Sequence, residues 1–312
     1  MRQPSTALLL AAGLGTRLRP LTLVRAKPAI PVAGQPMVAR IIRWLAAAQI
    51  SDVVINLHAL PETIATIVGD GSEFGVRARY SWEQPEVLGS AGGPRQALDM
   101  LGDDIFLIVN GDTLTDLSIR PLIDAHATGD ALVTMAVIPN PRPEHYSGLH
   151  VADDGAVLGV VPRGSAVPSF HFIGVQVAQS QAFAGAPKGR PSNSVGGVYA
   201  DLIDSRPGSI RAHICNARFW DIGTVSDYVV TSDTFDPSRT LSVPASTVIG
   251  PDARLSDSIV WDDVVIAAGA AIERCIVTDG VRVDAGRSYS DSILMRGEDG
   301  QTFAMPLKRE GE

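Results

Sequence analysis

Residues 248–298 repeat with a period of 17. "VIGPDARLSDSIVWDDV" (248–264) aligns with "VIAAGAAIERCIVTDGV" (265–281) and "RVDAGRSYSDSILMRGE" (282–298). Ile249, Ile266 and Val283 share a column, as do Leu255, Ile272 and Tyr289, and Ile259, Ile276 and Ile293. A unit this short cannot bury its aliphatic face alone, so each must stack on the next, and the expected architecture is a parallel β-helix. Cys275 falls in step with Ser258 and Ser292, which reads as a structural slot, and Arg287 and Tyr289 mark the third coil as an atypical terminal turn. The repeat domain is drawn at 246–298, with 299–312 as a tail.

The first half has a different rhythm. "ALLLAA" reads as a buried strand. "QPMVARIIRWLAAAQI" is an amphipathic helix opening near Pro36 with apolar residues at Val38, Ile41, Ile42 and Leu45. "DVVINL", "PETIATIV" and "VRARYSW" continue as strand, helix and strand, followed by "PRQALDML" and "DIFLIVNGD". This alternation predicts an α/β fold, a Rossmann-like mixed, mostly parallel sheet with helices on both faces, and ligands beyond the carboxyl ends of its strands. After residue 145 the pattern is strand-rich: a hairpin around Asp154 and Gly155, then "SFHFIGVQVA". This part is expected to form a lid or wall over the site.

Length and charge narrow the function. A chain of 312 residues with 45% hydrophobic content supports one large core plus a smaller module. A net charge of −8 argues against a nucleic-acid binder and favours small-molecule ligands. No apolar run reaches the length of a membrane span, and no small-residue cleavage site follows the first apolar stretch, so a cytoplasmic enzyme is expected. Cys215 and Cys275 make neither a C-x-x-C pair nor a disulfide framework.

The stretch "LLLAAGLGTRLRPLT" (8–22) joins a strand to a glycine-rich, cationic loop. It is neither a dinucleotide fingerprint, since Leu18 stands where a third glycine belongs, nor a Walker loop, since Gly-Lys-Ser/Thr is missing. Pro20 disfavours a helix through "RLRPLT", so the loop is expected to stay extended over the strand end. Gly13, Gly15 and Thr16 could offer backbone N–H groups to phosphates. Asp112 follows the apolar strand "IFLIV", and Asp221 sits in "FWDIG".

Together with Ala26-Lys27-Pro28, that stretch resembles the signature of sugar-1-phosphate nucleotidyltransferases, which make NDP-sugars and release pyrophosphate. "EQPEVLGSAGG" (83–93), "IVNGDT" (108–113), "YSGLHVADDGAVLGVV" (146–161) and "FWDIGTVSDY" (219–228) extend the likeness in order. The resemblance implies a catalytic domain over 1–235. Members with an appended left-handed β-helix include the guanylyltransferases acting on mannose-1-phosphate, which implies GTP and mannose-1-phosphate as substrates. The alternatives are UTP or another NTP with a heptose or N-acetylated sugar phosphate, and a non-catalytic NDP-sugar-sensing subunit. By the same resemblance Arg17 grips pyrophosphate, Lys27 reaches the α-phosphate, held extended by Pro28, and Asp112 and Asp221 hold Mg²⁺. Leu10, Ala12, Gly13, Gly15 and Thr16 line the nucleotide. Glu83, Gln84, Gly89 and Ser90 read the base, where Glu83 suits guanine and Gln84 suits uracil or thymine. Gly148 and Gly174 approach the sugar. Many members carry Glu-Lys-Pro after the hairpin, whereas here Val161 precedes Pro162, leaving Arg163 as the substitute cation. Homo-oligomerisation through the β-helix or the catalytic domain is expected, with no nucleic acid or membrane partner.

Overall fold

Period-2 and period-3.6 apolar patterns give way to the expected elements in the computed structural model, which describes residues 4–102, 104–239 and 243–307. Two compact units are distinguished, the first from Met1–Leu14 and Val38–Asp221, the second from Gly15–Met37 and Ile222–Glu312.

The first unit is built on one mixed sheet. Its strands are β1 (Thr6–Leu10), β2 (Asp52–Leu57), β3 (Arg77–Trp82), β4 (Ile105–Asn110), β6 (Val133–Pro139), β7 (Gly148–Val151), β8 (Val157–Val161), β9 (Phe170–Gln179) and β10 (Ile210–Ile214). The order β8-β7-β9-β4-β1-β2-β3 has β6 also on β9, and β10 on β6. Strands β4, β1, β2 and β3 pair in parallel, and the near-continuous apolar runs of β4, β1 and β2 suit a sheet covered on both faces. The strand-rich segment does not form a separate wall. Strand β9 is buried on both faces from Ile173 to Ala178 and so extends the sheet, antiparallel to β4. A short ribbon of β5 (Thr113–Thr115) and β11 (Phe219–Asp221) stands apart from this sheet.

The helices are α1 (Met37–Ala47), α2 (Pro61–Val68), α3 (Gly89–Leu101), α4 (Ile119–Ala127), α5 (Gln181–Ala184), α6 (Tyr199–Ser205) and α7 (Val225–Phe235). Val38, Ile41, Ile42 and Leu45 of α1 are all buried, in agreement with their spacing. Helix α3 begins earlier than "PRQALDML" suggests, because Gly89, Gly92 and Gly93 lie inside it. Among the described residues no helix is long and apolar enough to cross a membrane.

In the second unit the 17-residue columns become strand registers. Ile249 pairs with Ile266 and Ile266 with Val283, Leu255 with Ile272 and Ile272 with Tyr289, Ile259 with Ile276 and Ile276 with Ile293, all in parallel. Three short parallel ladders around a core of Val260, Ile266, Ile272, Val277 and Leu294 make the expected β-helix. Its corners repeat too: Asp257, Arg274 and Asp291 share the left-handed backbone conformation at successive coils. The cysteine slot is structural, since Ser258 Oγ, Cys275 Sγ and Ser292 Oγ each donate to the carbonyl two residues earlier. Within 299–312, Thr302–Pro306 is not tail but a strand antiparallel to Ser292–Arg296, and residues 308–312 lie outside the described residues.

Candidate active site

In the first unit the carboxyl ends of β1, β2 and β4 lie side by side, with Leu10 in register with Asn56 and Asn110. The Leu10 carbonyl accepts from Gly111 N at 2.8 Å, which fixes the turn that carries Asp112. Ala12 is buried and Gly13 exposed. Asp221, 109 residues after Asp112, is brought to the same ribbon: in the β5–β11 pairing Asp221 stands opposite Thr113. The ribbon is locked at its far end, where Arg218 donates from its backbone N–H and Nε to the two carboxylate oxygens of Asp116 at 2.7 and 2.8 Å. Thr115 Oγ1 donates to the Arg218 carbonyl at 2.7 Å.

Asp112 at the turn and Asp221 at the end of β11 are both half-buried, and each offers carboxylate oxygens. Among the described residues no group of three or more His, Cys, Asp or Glu is placed to hold a metal. Two carboxylates alone fit Mg²⁺, which takes few protein ligands and fills its octahedron with water and phosphate oxygens. They do not fit zinc.

Glu83 requires a correction. It is fully buried, and both carboxylate oxygens are engaged: Oε1 accepts from Asn56 Nδ2 at 2.7 Å and Oε2 from Leu88 N at 2.6 Å. Asn56 Oδ1 in turn accepts from Ala11 N at 2.5 Å. The carboxylate therefore ties the end of β1 to β2 and to the start of α3, and it has no surface left with which to read a base. Asn56, the polar last-but-one residue after the apolar run Val53–Ile55, was the sequence signal for this link. Gln84 is exposed. Gly89 and Ser90 are not a flexible loop but the first turn of α3. A Cβ on Gly89 would come 2.8 Å from the Ser192 carbonyl, which already accepts from Ala91 N and Gly92 N at 2.9 and 3.2 Å. Ser90 Oγ accepts from Ser194 N at 2.9 Å.

The sugar-side residues separate. A Cβ on Gly148 would collide with the Ser169 side chain, and one on Gly174, where φ is +78°, would lie 3.0 Å from Asn110. Both glycines make room for neighbouring side chains of the protein itself. Arg163 is exposed in the loop after β8. Unforeseen from the sequence is an aromatic cluster of Tyr146, His171 and Phe219, with ring centroids 4.3 Å (Tyr146–His171) and 4.9 Å (His171–Phe219) apart. Arg142 lies over the Tyr146 ring at 5.1 Å and donates to its hydroxyl at 2.6 Å. Burial pushes the His171 imidazole down to about 4 against a hydrogen bond that the ring donates to the Ser147 backbone, with the Arg142 charge adding to the depression. Phe219 shares β11 with Asp221, so the cluster and the carboxylate rest on one ribbon.

The second unit holds the cationic part of the signature. The loop is not extended: Thr16–Leu18 and Leu21–Leu23 form two single 3₁₀ turns on either side of Pro20. Turning buries Leu18 and Leu21 completely, a gain that an extended path would forgo. Gly15 enters the first turn at φ +58°, where a Cβ would come 2.7 Å from Thr22 Cγ2, and Thr22 Oγ1 donates to the Gly15 carbonyl at 2.9 Å. Among the described residues no hydrogen bond uses the N–H groups of Gly15 or Thr16. Arg17 is exposed and its guanidinium lies beside Gly223, where a Cβ would be 3.3 Å from both terminal nitrogens. Gly223 precedes the capping box of α7, in which Asp227 Oδ2 accepts from Thr224 N and Oγ1 at 2.8 Å each. An arginine beside a helix N-terminus favours an anion there.

Lys27 is not held extended. It opens a 3₁₀ turn, Lys27–Ala29, closed by Ala29 N donating to the Ala26 carbonyl at 2.8 Å, with Pro28 at a first-turn position where its missing N–H costs nothing. Only 8% exposed, Lys27 is no solvated surface cation.

The profile of the family described as Nucleotidyl transferase matches residues 6–235. A mannose-1-phosphate guanylyltransferase of Mycobacterium tuberculosis is 28% identical over 294 residues, 90% of this chain and 81% of that protein. An N-acetylmuramate alpha-1-phosphate uridylyltransferase of Neisseria meningitidis serogroup B is 31% identical over 222 residues, 70% of this chain and 93% of that protein. Among solved structures, HddC from Yersinia pseudotuberculosis shares the fold with a TM-score of 0.63 at 21% identity, over 74% of this chain and 99% of that one. The chain belongs to the nucleotidyl transferase family and is an enzyme of the sugar-1-phosphate nucleotidyltransferase type.

Proposed function

We propose that the enzyme joins GTP and mannose-1-phosphate into an NDP-sugar with release of pyrophosphate, using residues 1–235 as its catalytic domain. The observation that supports assigning the reaction to particular residues is the β5–β11 register, in which Asp221 stands opposite Thr113, the chain neighbour of Asp112. The choice of GTP and mannose-1-phosphate is supported by the guanylyltransferase relative, whose likeness covers 90% of this chain and so extends beyond residues 1–235.

The sugar phosphate oxygen attacks the α-phosphorus and pyrophosphate leaves on the opposite side. The nucleophile is already anionic, so the protein's task is to position two polyanions and offset their charge. Lys27 neutralises charge at the α-phosphate, and its burial strengthens that interaction. Arg17 takes the pyrophosphate. The N–H groups of Gly13, Gly15 and Thr16 hold phosphate oxygens. Asp112 and Asp221 would hold Mg²⁺, which when bound supplies charge neutralisation to the triphosphate. Backbone groups and Gln84, rather than Glu83, are left to distinguish bases. A cytoplasmic location suits this substrate class.

Pyrophosphate release over a grid of ATP, GTP, UTP and dTTP against mannose-, glucose-, heptose- and N-acetylated sugar-1-phosphates, with Mg²⁺, tests the proposal. The expected maximum in kcat/KM is GTP with mannose-1-phosphate. A maximum with UTP and another sugar would replace the substrates, and no release with any pair would overturn the catalytic roles.

A further inference from the structure

Arg25 lies between the two cations of the signature, two residues before Lys27, and it is buried. Its guanidinium is held from the β-helix. Nε donates to Asp279 Oδ2 at 2.6 Å, and Nη2 donates to Asp279 Oδ1 and Asp262 Oδ2, both at 2.6 Å. Nη1 donates to the Ala29 carbonyl at 3.4 Å, the last residue of the Lys27 turn, and the guanidinium lies 5.3 Å from the Trp261 ring centre. Asp262 and Asp279 are 17 residues apart and so occupy one column on successive coils. Asp262 N donates to Asp279 Oδ1 at 3.1 Å, which ties the Asp279 carboxylate to the backbone of the preceding coil.

The same coil grips the far side of the turn. Trp261 Nε1 donates to Tyr228 Oη at 3.0 Å, and Tyr228 Oη donates to the Pro31 carbonyl at 2.7 Å. Trp261 and Tyr228 are both fully buried. Segment 25–31 is therefore pinned at both ends, with Lys27 between the pins. Burial opposes charge on Arg25, but hydrogen bonds and attraction from Asp279 and Asp262 outweigh it and hold the guanidinium charged. A charged fork between two carboxylates is a stiff, geometrically defined joint.

We propose that Arg25 is a positioning residue through which Asp262 and Asp279 of two successive β-helix coils set the Lys27 turn for phosphoryl transfer. The repeat thereby acts on the chemistry, beyond any part it plays in assembly. This rests on the assignment of Lys27 to the reacting phosphates. A 1 Å misplacement of such a group costs up to about 10²-fold in rate.

The test uses the full chain and steady-state kinetics. Arg25→Gln is expected to lower kcat about 10- to 100-fold, with KM for both substrates within about twofold. In a Lys27→Ala background the same change is expected to cost less than about twofold, because the group it positions is gone. Asp262→Asn, at a half-exposed carboxylate, is expected to repeat this dependence on Lys27 at smaller amplitude, and it carries the test where Arg25→Gln fails to fold. Equal fold-losses in both backgrounds would mean that Arg25 merely holds the unit together, and would overturn the proposal. Full turnover in Lys27→Ala alone would overturn the role of Lys27 and with it the reason for positioning it.

Discussion

Exchanging Glu83 for Gln keeps the shape of the side chain and removes one acceptor, and the hydrogen-bond chain around it turns that into a parity defect. In the native arrangement Ala11 N donates to Asn56 Oδ1, Asn56 Nδ2 donates to Glu83 Oε1, and Leu88 N donates to Glu83 Oε2. With Glu83→Gln, the amide oxygen can satisfy Leu88 N, but the amide nitrogen then faces Asn56 Nδ2. Rotating Asn56 to offer its oxygen turns its own nitrogen toward Ala11 N. One buried N–H is opposed by another in every arrangement. An unsatisfied buried donor costs about 1–3 kcal/mol, and a hydrogen bond to a charged group contributes about 1.5–3 kcal/mol, so the expected loss is about 2–4 kcal/mol. At a urea m-value of about 2 kcal/mol/M this lowers the unfolding midpoint by about 1–2 M. The remedy is equally specific. Asn56→Asp combined with Glu83→Gln restores one acceptor to each donor, so the double variant is expected to recover most of the loss, with a coupling of about 2 kcal/mol in the cycle. Urea unfolding of the four proteins measures it, beside kcat/KM for GTP and UTP. A Glu83→Gln protein of unchanged midpoint whose nucleotide preference has moved would refute the reasoning and return Glu83 to the base.

Asp112→Asn and Asp221→Asn are each expected to weaken Mg²⁺ dependence and slow turnover, while the double substitution costs far less than the product of the single losses, since both serve one ion; Mg²⁺ titrations of initial rate check this, and multiplying losses would separate the two carboxylates. His171, held down to about 4, binds its proton in the unfolded chain first, near pH 6.5, so its contribution is complete above pH 6.5, falls as pH drops toward 4, and amounts to roughly 2–3 kcal/mol across that window. The difference between wild-type and His171→Phe stability over pH 4–7 isolates it, and parallel curves would count against it. Gly148→Ala is expected to cost about 1–3 kcal/mol through collision with Ser169, with recovery on adding Ser169→Gly; thermal unfolding of the pair tests the contact.

Much of the fold was legible because periodicity reports burial directly. The columns at 17 residues became strand registers, and the apolar positions of α1 became its buried face. Asp112 and Asp221 were readable only through the family likeness, since the pairing that sets Asp221 opposite Thr113 belongs to a ribbon closed by Arg218 and Asp116. Glu83 was misread for a physical reason. In "EQPEVLGSAGG" the letters suit either a ligand-reading loop or a buried link, and the deciding partners sit elsewhere, 27 residues earlier at Asn56 and in the chain around Ser192. The glycines are there because helix α3 must approach a carbonyl and a carboxylate closely. A Cβ on Gly93 would lie 2.6 Å from Glu83 Oε1.

Arg25 shows how the repeat could have spoken earlier. The column that contains its partners reads Ala245, Asp262, Asp279 and Arg296 along the coils, so acid appears only at the two middle positions. Two carboxylates set side by side repel each other unless a cation lies between them, even where both are only partly buried. Two aspartates one coil apart, drawn together by Asp262 N on Asp279, therefore demand a cation from outside the repeat. Among the described residues that cation is Arg25, and its reach to the Ala29 carbonyl makes the register of the coils a determinant of where the Lys27 turn stands.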